Sequence, residues 1–326
     1  MKTIPYKIYL IAPALILIVL LFLLPTVVSA ADYGFISLIH DPNARATHAE
    51  GINNLGQIVG VAHEVIGDHG FLYHDGNFTP IEYPNAKLTF ARGINDVSQI
   101  VGFFLGASGY HGFLYCHENF ISFNYPNAIY TFANEINDVG QIVGSYLDAR
   151  GEHEHGFLYS DRTFTSIEYP NAIATAAAGI NDAGQIVGSF ADSRGLHGFL
   201  FSGGIFIALD YPNGKATYPR GINNVGQIVG IYHDAGGDPR GFLYRSGDFT
   251  SIDYPNATGT AAVGINDTGQ IVGTYEDVNW VSHGFLYSDG KFTSIDYPNF
   301  IPTRATGIND VGKNYGFKMK SDIVQW

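Results

Sequence analysis

Between residues 260 and 299, apolar and polar positions alternate in four short stretches separated by turn residues. Residues 260–266 alternate small side chains, and Asp267-Thr268-Gly269 is a turn. Residues 270–275 are rich in β-branched side chains and read as a second strand. A loop follows, then a third strand at 283–287. Ser288-Asp289-Gly290-Lys291 is a hairpin turn, because Asp-Gly suits the positive φ of a type I′ turn. Residues 292–297 form the fourth strand. Pro298 stops it, since proline has no N–H for the ladder. Period-two patterning over four such stretches predicts an antiparallel meander. Its strands are lettered a to d in chain order.

The pattern recurs. Gly-Ile-Asn begins at Gly51, Gly93, Gly179, Gly221, Gly264 and Gly307, and at Glu135 a Glu stands in place of the Gly. A period of 42–44 residues with four strands per unit predicts propeller blades. Thr precedes each Asn by six residues, and Ala or Pro219 follows that Thr by two. These small residues place strand a innermost, where strands crowd around an axis. Residues 33–39 resemble a lone strand d, while 313–317 and 321–326 suit strands b and c after the last Gly-Ile-Asn. The expected fold is therefore all-β: a seven-bladed β-propeller of four-stranded blades. Its last blade would be closed by one N-terminal and three C-terminal strands. An open superhelix is the alternative.

The first 30 residues interrupt the pattern. Residues 8–28 are almost wholly apolar, Lys2 and Lys7 precede them, and Val28-Ser29-Ala30 suits signal cleavage. The expected division is a signal peptide at 1–30 and one propeller domain at 31–326. An uncleaved membrane anchor is the alternative, because a span needs about 20 residues. Either way the repeats are expected outside the cytoplasm, in the periplasm, at the cell surface or beyond. Without the leader, 15 Lys and Arg face 30 Asp and Glu, a net charge of −15. Such a surface repels phosphate backbones, so nucleic acid is not an expected partner. Membrane contact is expected only if the leader is retained, and a monomer is expected. Cys116 is the single cysteine, which excludes an internal disulfide and a thiolate cluster.

Gly179-Ile180-Asn181 with Gly184-Gln185-Ile186-Val187-Gly188, and His197-Gly198-Phe199-Leu200, resemble the bacterial extracellular HAF repeat family. The resemblance spans about residues 33–317. The chain departs from it by using Gly for Ala, Tyr or Phe where Trp is frequent, and an additional Tyr-Pro-Asn. The resemblance implies an exported repeat protein and no particular activity.

With Tyr287 opposite Phe292, counting along the c–d hairpin sets His283 opposite Asp296. The same register sets His69 opposite Glu82, His111 opposite Asn124, His155 opposite Glu168, His197 opposite Asp210, and Arg240 opposite Asp253. These donor–acceptor pairs read as structural clasps fixing hairpin register. Arg cannot replace His as metal ligand or base. No metal, cofactor or catalytic residue is expected.

Departures among near-copies point to function. The b–c loops vary, as do the positions five and three residues before each Asn of Gly-Ile-Asn. The latter read His48/Glu50, Phe90/Arg92, Phe132/Asn134, Ala176/Ala178, Tyr218/Arg220, Ala261/Val263 and Arg304/Thr306. An up-and-down blade sets these at one end of the propeller. A rigid scaffold binds through such irregular segments. The expectation is an exported non-catalytic binding propeller that holds an extracellular glycan or protein. Candidate residues are Arg92, Arg220, Phe90, Tyr218, Trp280, Glu50 and Arg304. A polysaccharide hydrolase or lyase is one alternative. Glu50 is then the single carboxylate at the mouth, whereas hydrolysis usually takes two. A structural or adhesive surface protein is the other.

Overall fold

Each repeat folds as the meander its alternation predicts. In the first, strands a to d are Ala46–Ile52, Ile58–Glu64, Gly67–His74 and Asn77–Ile81, hydrogen-bonded in that order. Equivalent antiparallel sheets span 88–123, 130–167, 174–209, 216–252 and 259–295. The structure, a computed structural model, describes residues 41, 44–65, 67–296 and 303–318, the last four by backbone alone. All belong to the unit Gly34–Trp326.

The described residues hold six four-stranded blades, not seven. The seventh place carries a two-stranded sheet of strand a, Thr303–Ile308, and strand b, Asn314–Lys318. The strands expected to complete it, at 33–39 and 321–326, lie outside the described residues, as does the apolar leader.

The ring nevertheless closes through its strands a. The Nδ2 of Asn53 donates to the Asn95 carbonyl, Asn95 to Asn137, Asn137 to Asn181, Asn181 to Asn223, Asn223 to Asn266, Asn266 to Asn309, and Asn309 back to Asn53. All seven bonds measure 2.9–3.1 Å. One residue further on, a second circuit runs from each backbone N–H to the next side-chain Oδ1. It passes through Asn54, Asp96, Asp138, Asp182, Asn224, Asp267 and Asp310 and returns to Asn54, at 2.7–2.9 Å. The buried Asn of each repeat also folds its own a–b turn. The Asn266 Oδ1 accepts the Gln270 N–H at 2.9 Å while Nδ2 donates to Gln270 Oε1 at 2.9 Å. Gly269, at φ 83°, closes that turn.

The apolar core lies between blades. Val59 and Ile81 of the first blade pack on Ala91, Ile100 and Phe113 of the second, and similar clusters recur around the ring. The strand-c Phe at 71, 113, 157, 199, 242 and 285 is fully buried in every complete blade. Its ring lies over the strand-b glycine. At Gly102 a Cβ would stand 3.0 Å from Phe113 and collide with the Phe90 carbonyl oxygen.

The repeated Thr does more than save space. Thr89, Thr131, Thr175, Thr217 and Thr260 each accept, at Oγ1, the backbone N–H of the preceding Tyr-Pro-Asn tyrosine, at 2.9–3.2 Å. Each bond fixes the crossing from strand d to the next strand a.

Asn266→Ala removes one bond between blades and three within a turn, and leaves buried partners unpaired. It should cost about 2–4 kcal/mol, measured by urea denaturation. Asn279→Ala, in an exposed loop, should cost less than about 0.5 kcal/mol. Equal losses at the two sites would disprove the importance of the Asn ring.

Candidate functional site at the channel mouth

In each strand a the pairing with strand b slips by one residue, between Ala49 and Gly51 in the first blade and at the matching place in the others. The extra residues are Glu50, Arg92, Asn134, Ala178, Arg220, Val263 and Thr306. A bulge turns its extra residue out of the ladder. Here three of these side chains reach adjacent blades. Arg92 Nη1 lies 3.3 Å from Glu50 Oε2, Asn134 Nδ2 donates to the Ala177 carbonyl at 3.0 Å, and Thr306 Oγ1 donates to the Ala49 carbonyl at 3.2 Å.

One residue beyond the bulges the neighbouring strands a come close together. A Cβ at Gly264 would stand 3.2 Å from the Gly307 Cα. Glu135 occupies the matching place in the third blade, and its Oε1 lies 2.9 Å from where a Cβ of Gly93 would be. Its carboxylate accepts the Ile136 N–H at 3.1 Å. Desolvation exceeds that bond and pushes its pKa up to about 7. Glu135 was missing from the expected site although its signal was visible, a Glu where the other six repeats carry Gly.

Two residues before the bulges stand His48, Phe90, Phe132, Ala176, Tyr218, Ala261 and Arg304. On the second and third blades these extend into an aromatic wall. Phe90 stacks on Phe103 with centroids 4.8 Å apart, Phe103 meets Phe132 at 4.5 Å, and Tyr110 meets Phe132 edge-on at 5.5 Å. The Arg92 guanidinium lies over Phe103, 5.5 Å from its centroid. Arg92, Glu50 and Phe90 thus come together around Phe103, a strand-b residue absent from the sequence expectation because its position is apolar in most repeats.

The remaining mouth is less crowded. Tyr218 meets His233 at 5.5 Å. Arg304 lines a cavity of about 280 Å³ with Ala261, Val263, Glu276 and Thr306. Burial, then the charges of His63 and Arg304, lower the His48 pKa. Burial raises that of Glu50 against the opposing pull of Arg92. Trp280 is elsewhere on this face. It is 73% exposed in the last complete b–c loop, where its backbone N–H closes a turn on the Asp277 carbonyl.

The c–d hairpin residues form a separate set. Tyr287 pairs with Phe292. His283 Nδ1 lies 2.7 Å from Asp296 Oδ1, His197 Nδ1 2.9 Å from Asp210 Oδ1, His111 Nδ1 2.8 Å from Asn124 Oδ1, and His155 Nδ1 3.5 Å from Glu168 Oε1. The opposite ring nitrogen faces the b–c loop, as where His197 Nε2 lies 3.2 Å from Asp192 Oδ1. Each of these imidazoles packs on a strand-b aromatic, and that ring stacks in turn on the preceding blade's Tyr. In one such stack Tyr254 lies 3.6 Å from Tyr275, and Tyr275 4.9 Å from His283.

Two pairs are not bonded. In the first blade Ala62 replaces the strand-b aromatic and Asp41 replaces the tyrosine, so no ring holds His69 among the described residues. Its Nε2 lies 3.6 Å from Glu64 Oε1, with no bond to Glu82. Arg240 reaches into the loop, where Nε donates to Asp234 Oδ2 at 3.1 Å. Asp253 accepts from Ser251 Oγ instead and acts on Arg240 through charge alone.

No protein-family model and no curated protein sequence matches the chain. Solved structures do. Virginiamycin B lyase from Staphylococcus aureus, in a catalytically inactive form with quinupristin, aligns over 83% of this chain and 92% of its own, with 13% identity and a TM-score of 0.55. TolB from Acinetobacter baumannii aligns over 76% of this chain and 62% of its own, with 12% identity and a TM-score of 0.52. These likenesses, together with the blades described above, define the chain as a β-propeller; at such identity they bear on fold alone.

Glu135 gives the channel a pH signature. Its pKa in the folded protein stands above the ordinary 4.5, so the stability preserved by its neutral form is complete below pH 4.5 and is lost as pH rises through about 7. Glu135→Gln should therefore match the parent near pH 4 and exceed it above pH 8 by up to about 3 kcal/mol. Urea midpoints at the two pH values measure this, and a pH-independent difference would contradict it.

Proposed function

We propose that the protein is an exported, non-catalytic binding propeller whose ligand, a glycan or a protein, sits at the channel mouth on the b–c face. One observation carries this reading. Seven equivalent bulges set seven side chains outside the strand ladder around one ring. They are chemically different, although the Asn and Gly residues just beyond them are nearly invariant. A repeat under structural selection alone has no need to vary there and two residues earlier while keeping the Thr and the Asn of the same segment. Arg92 and Arg220 supply charge, Phe90 and Tyr218 supply apolar faces, and Glu50 and Arg304 complete the polar rim; Trp280 would contribute from the outer part of the face. The apolar leader and the resemblance to HAF repeats support export. Residues 33–39 and 321–326 are proposed to complete a seventh blade, which would protect the open edges of the closing sheet.

The carboxyl of Glu135, poised near neutrality, favours a second reading. With Glu50 it gives the channel two carboxylates, as a polysaccharide-cleaving enzyme would use. A glycan array with a parallel mass-spectrometric product assay separates the readings. Binding without turnover is expected, weakened at least about tenfold by Arg220→Ala. Cleaved products would establish the enzyme instead, and neither binding nor products would leave a structural surface protein.

A further inference from the structure

We infer that the mouth selects a carboxylate carried on a sugar, a uronate-containing oligosaccharide whose carboxylate pairs with Arg220. This rests on the binding reading above and names its ligand class.

The two bulge arginines differ in their surroundings. Arg92 has Glu50 at 3.3 Å and Phe103 beneath it. Arg220 is flanked around the ring by Ala178 and Val263, which offer no side-chain acceptor. A Cβ at Gly179 would stand 3.2 Å from the Arg220 carbonyl, and one at Gly221 3.2 Å from that of Val263, so these three residues are true neighbours. Among the described residues no carboxylate pairs with Arg220, and the charge of Arg92 repels it. In an acidic chain this guanidinium, exposed at its bulge, is available to an incoming anion.

A guanidinium is a planar fork of donors that matches a carboxylate with two parallel hydrogen bonds. The side chains flanking it are small: Ala176, Ala178, Ala261 and Val263 hold the matching places on the adjacent blades, while Tyr218 stands two residues before Arg220 on its own strand. On the second and third blades the Phe90, Phe103 and Phe132 wall offers apolar surface for the C–H face of another sugar. A charged anchor and an aromatic wall on blades of one channel fit an acidic saccharide, whose C–H faces pack on aromatic rings, better than an acidic peptide.

The test is calorimetric titration of the full chain with trisaccharides containing galacturonate, guluronate–mannuronate or glucuronate, their methyl esters, and an acidic tetrapeptide. At least one uronate should bind. Esterification should weaken it about tenfold or more, as should Arg220→Gln, whereas Arg220→Lys should retain part of the affinity. Arg245→Gln removes the same charge at the opposite end of a blade and should change affinity less than twofold. Equal affinity for acid and ester, abolished by Tyr218→Ala, would overturn the inference while sparing the binding reading. Peptide binding without uronate binding, or indifference to Arg220→Gln with unchanged Tm, would overturn it too. Failure of all these probes together with an empty glycan array would remove both.

Discussion

The structure depends on one polar constraint, a ring of buried asparagines that must each be satisfied from two directions. Within its own repeat, each Asn side chain closes the a–b turn. Across the ring, its Nδ2 meets the carbonyl of the next Asn. A buried amide left half-paired costs more than its bonds return, so this network tolerates neither a missing member nor a displaced one. It explains why Gly-Ile-Asn and Gln-Ile-Val-Gly recur together. The Asn needs the Gln for its turn, and the glycine before it lets neighbouring backbones approach. The apolar layers between blades supply most of the burial, but they are non-directional. The Asn circuits set where each blade stands relative to the next, and they close at Asn309 and Asn53 even though the seventh sheet has two described strands.

Fixing that ring frees the residues just beside it. The bulge lies three residues before the Asn, so its Cα is held in place while its side chain lies outside the ladder. Substitution there disturbs neither strand pairing nor the interblade core. This is how a repetitive scaffold produces an asymmetric mouth: geometry is repeated and chemistry is not. The stacked Tyr, aromatic and His columns follow the opposite logic. They repeat because each ring packs between its neighbours, and where the first blade lacks two of the rings, its imidazole loses the partner found in the other histidine blades.

The sequence revealed what is local. Alternation and turn chemistry placed the strands, and the Asp-Gly turn set the register in which Tyr287 faces Phe292. It did not reveal what joins residues 42–44 positions apart. Asn53 to Asn95 is a contact between blades, and nothing in either segment alone announces it. In sequence the repeated Thr looks like a space-saving residue, because its bond to a tyrosine N–H six residues earlier depends on how the chain turns between blades. The bulge was invisible for a similar reason: it is a mismatch between two strands. The variability at those positions was visible, though without the geometry it could not be separated from drift. Phe103 belongs to the mouth only because the bulged Arg92 lies over it.

Arg220 and Glu135 sharpen this contrast, since neither serves the fold. The exposed Arg220 guanidinium has no carboxylate paired to it among the described residues and is repelled by Arg92, so it makes no ion pair for the fold. A carboxyl desolvated at a waist of glycines raises the energy of the folded state once it ionises. Six of seven repeats avoid that cost by using Gly, and the small residues flanking Arg220 show that an uncharged mouth is compatible with the scaffold. Stability alone gives no reason to keep either group. Their shared position, on the axis and next to the Asn ring that supports them, makes the channel mouth the place where this propeller spends the stability its repeats supply.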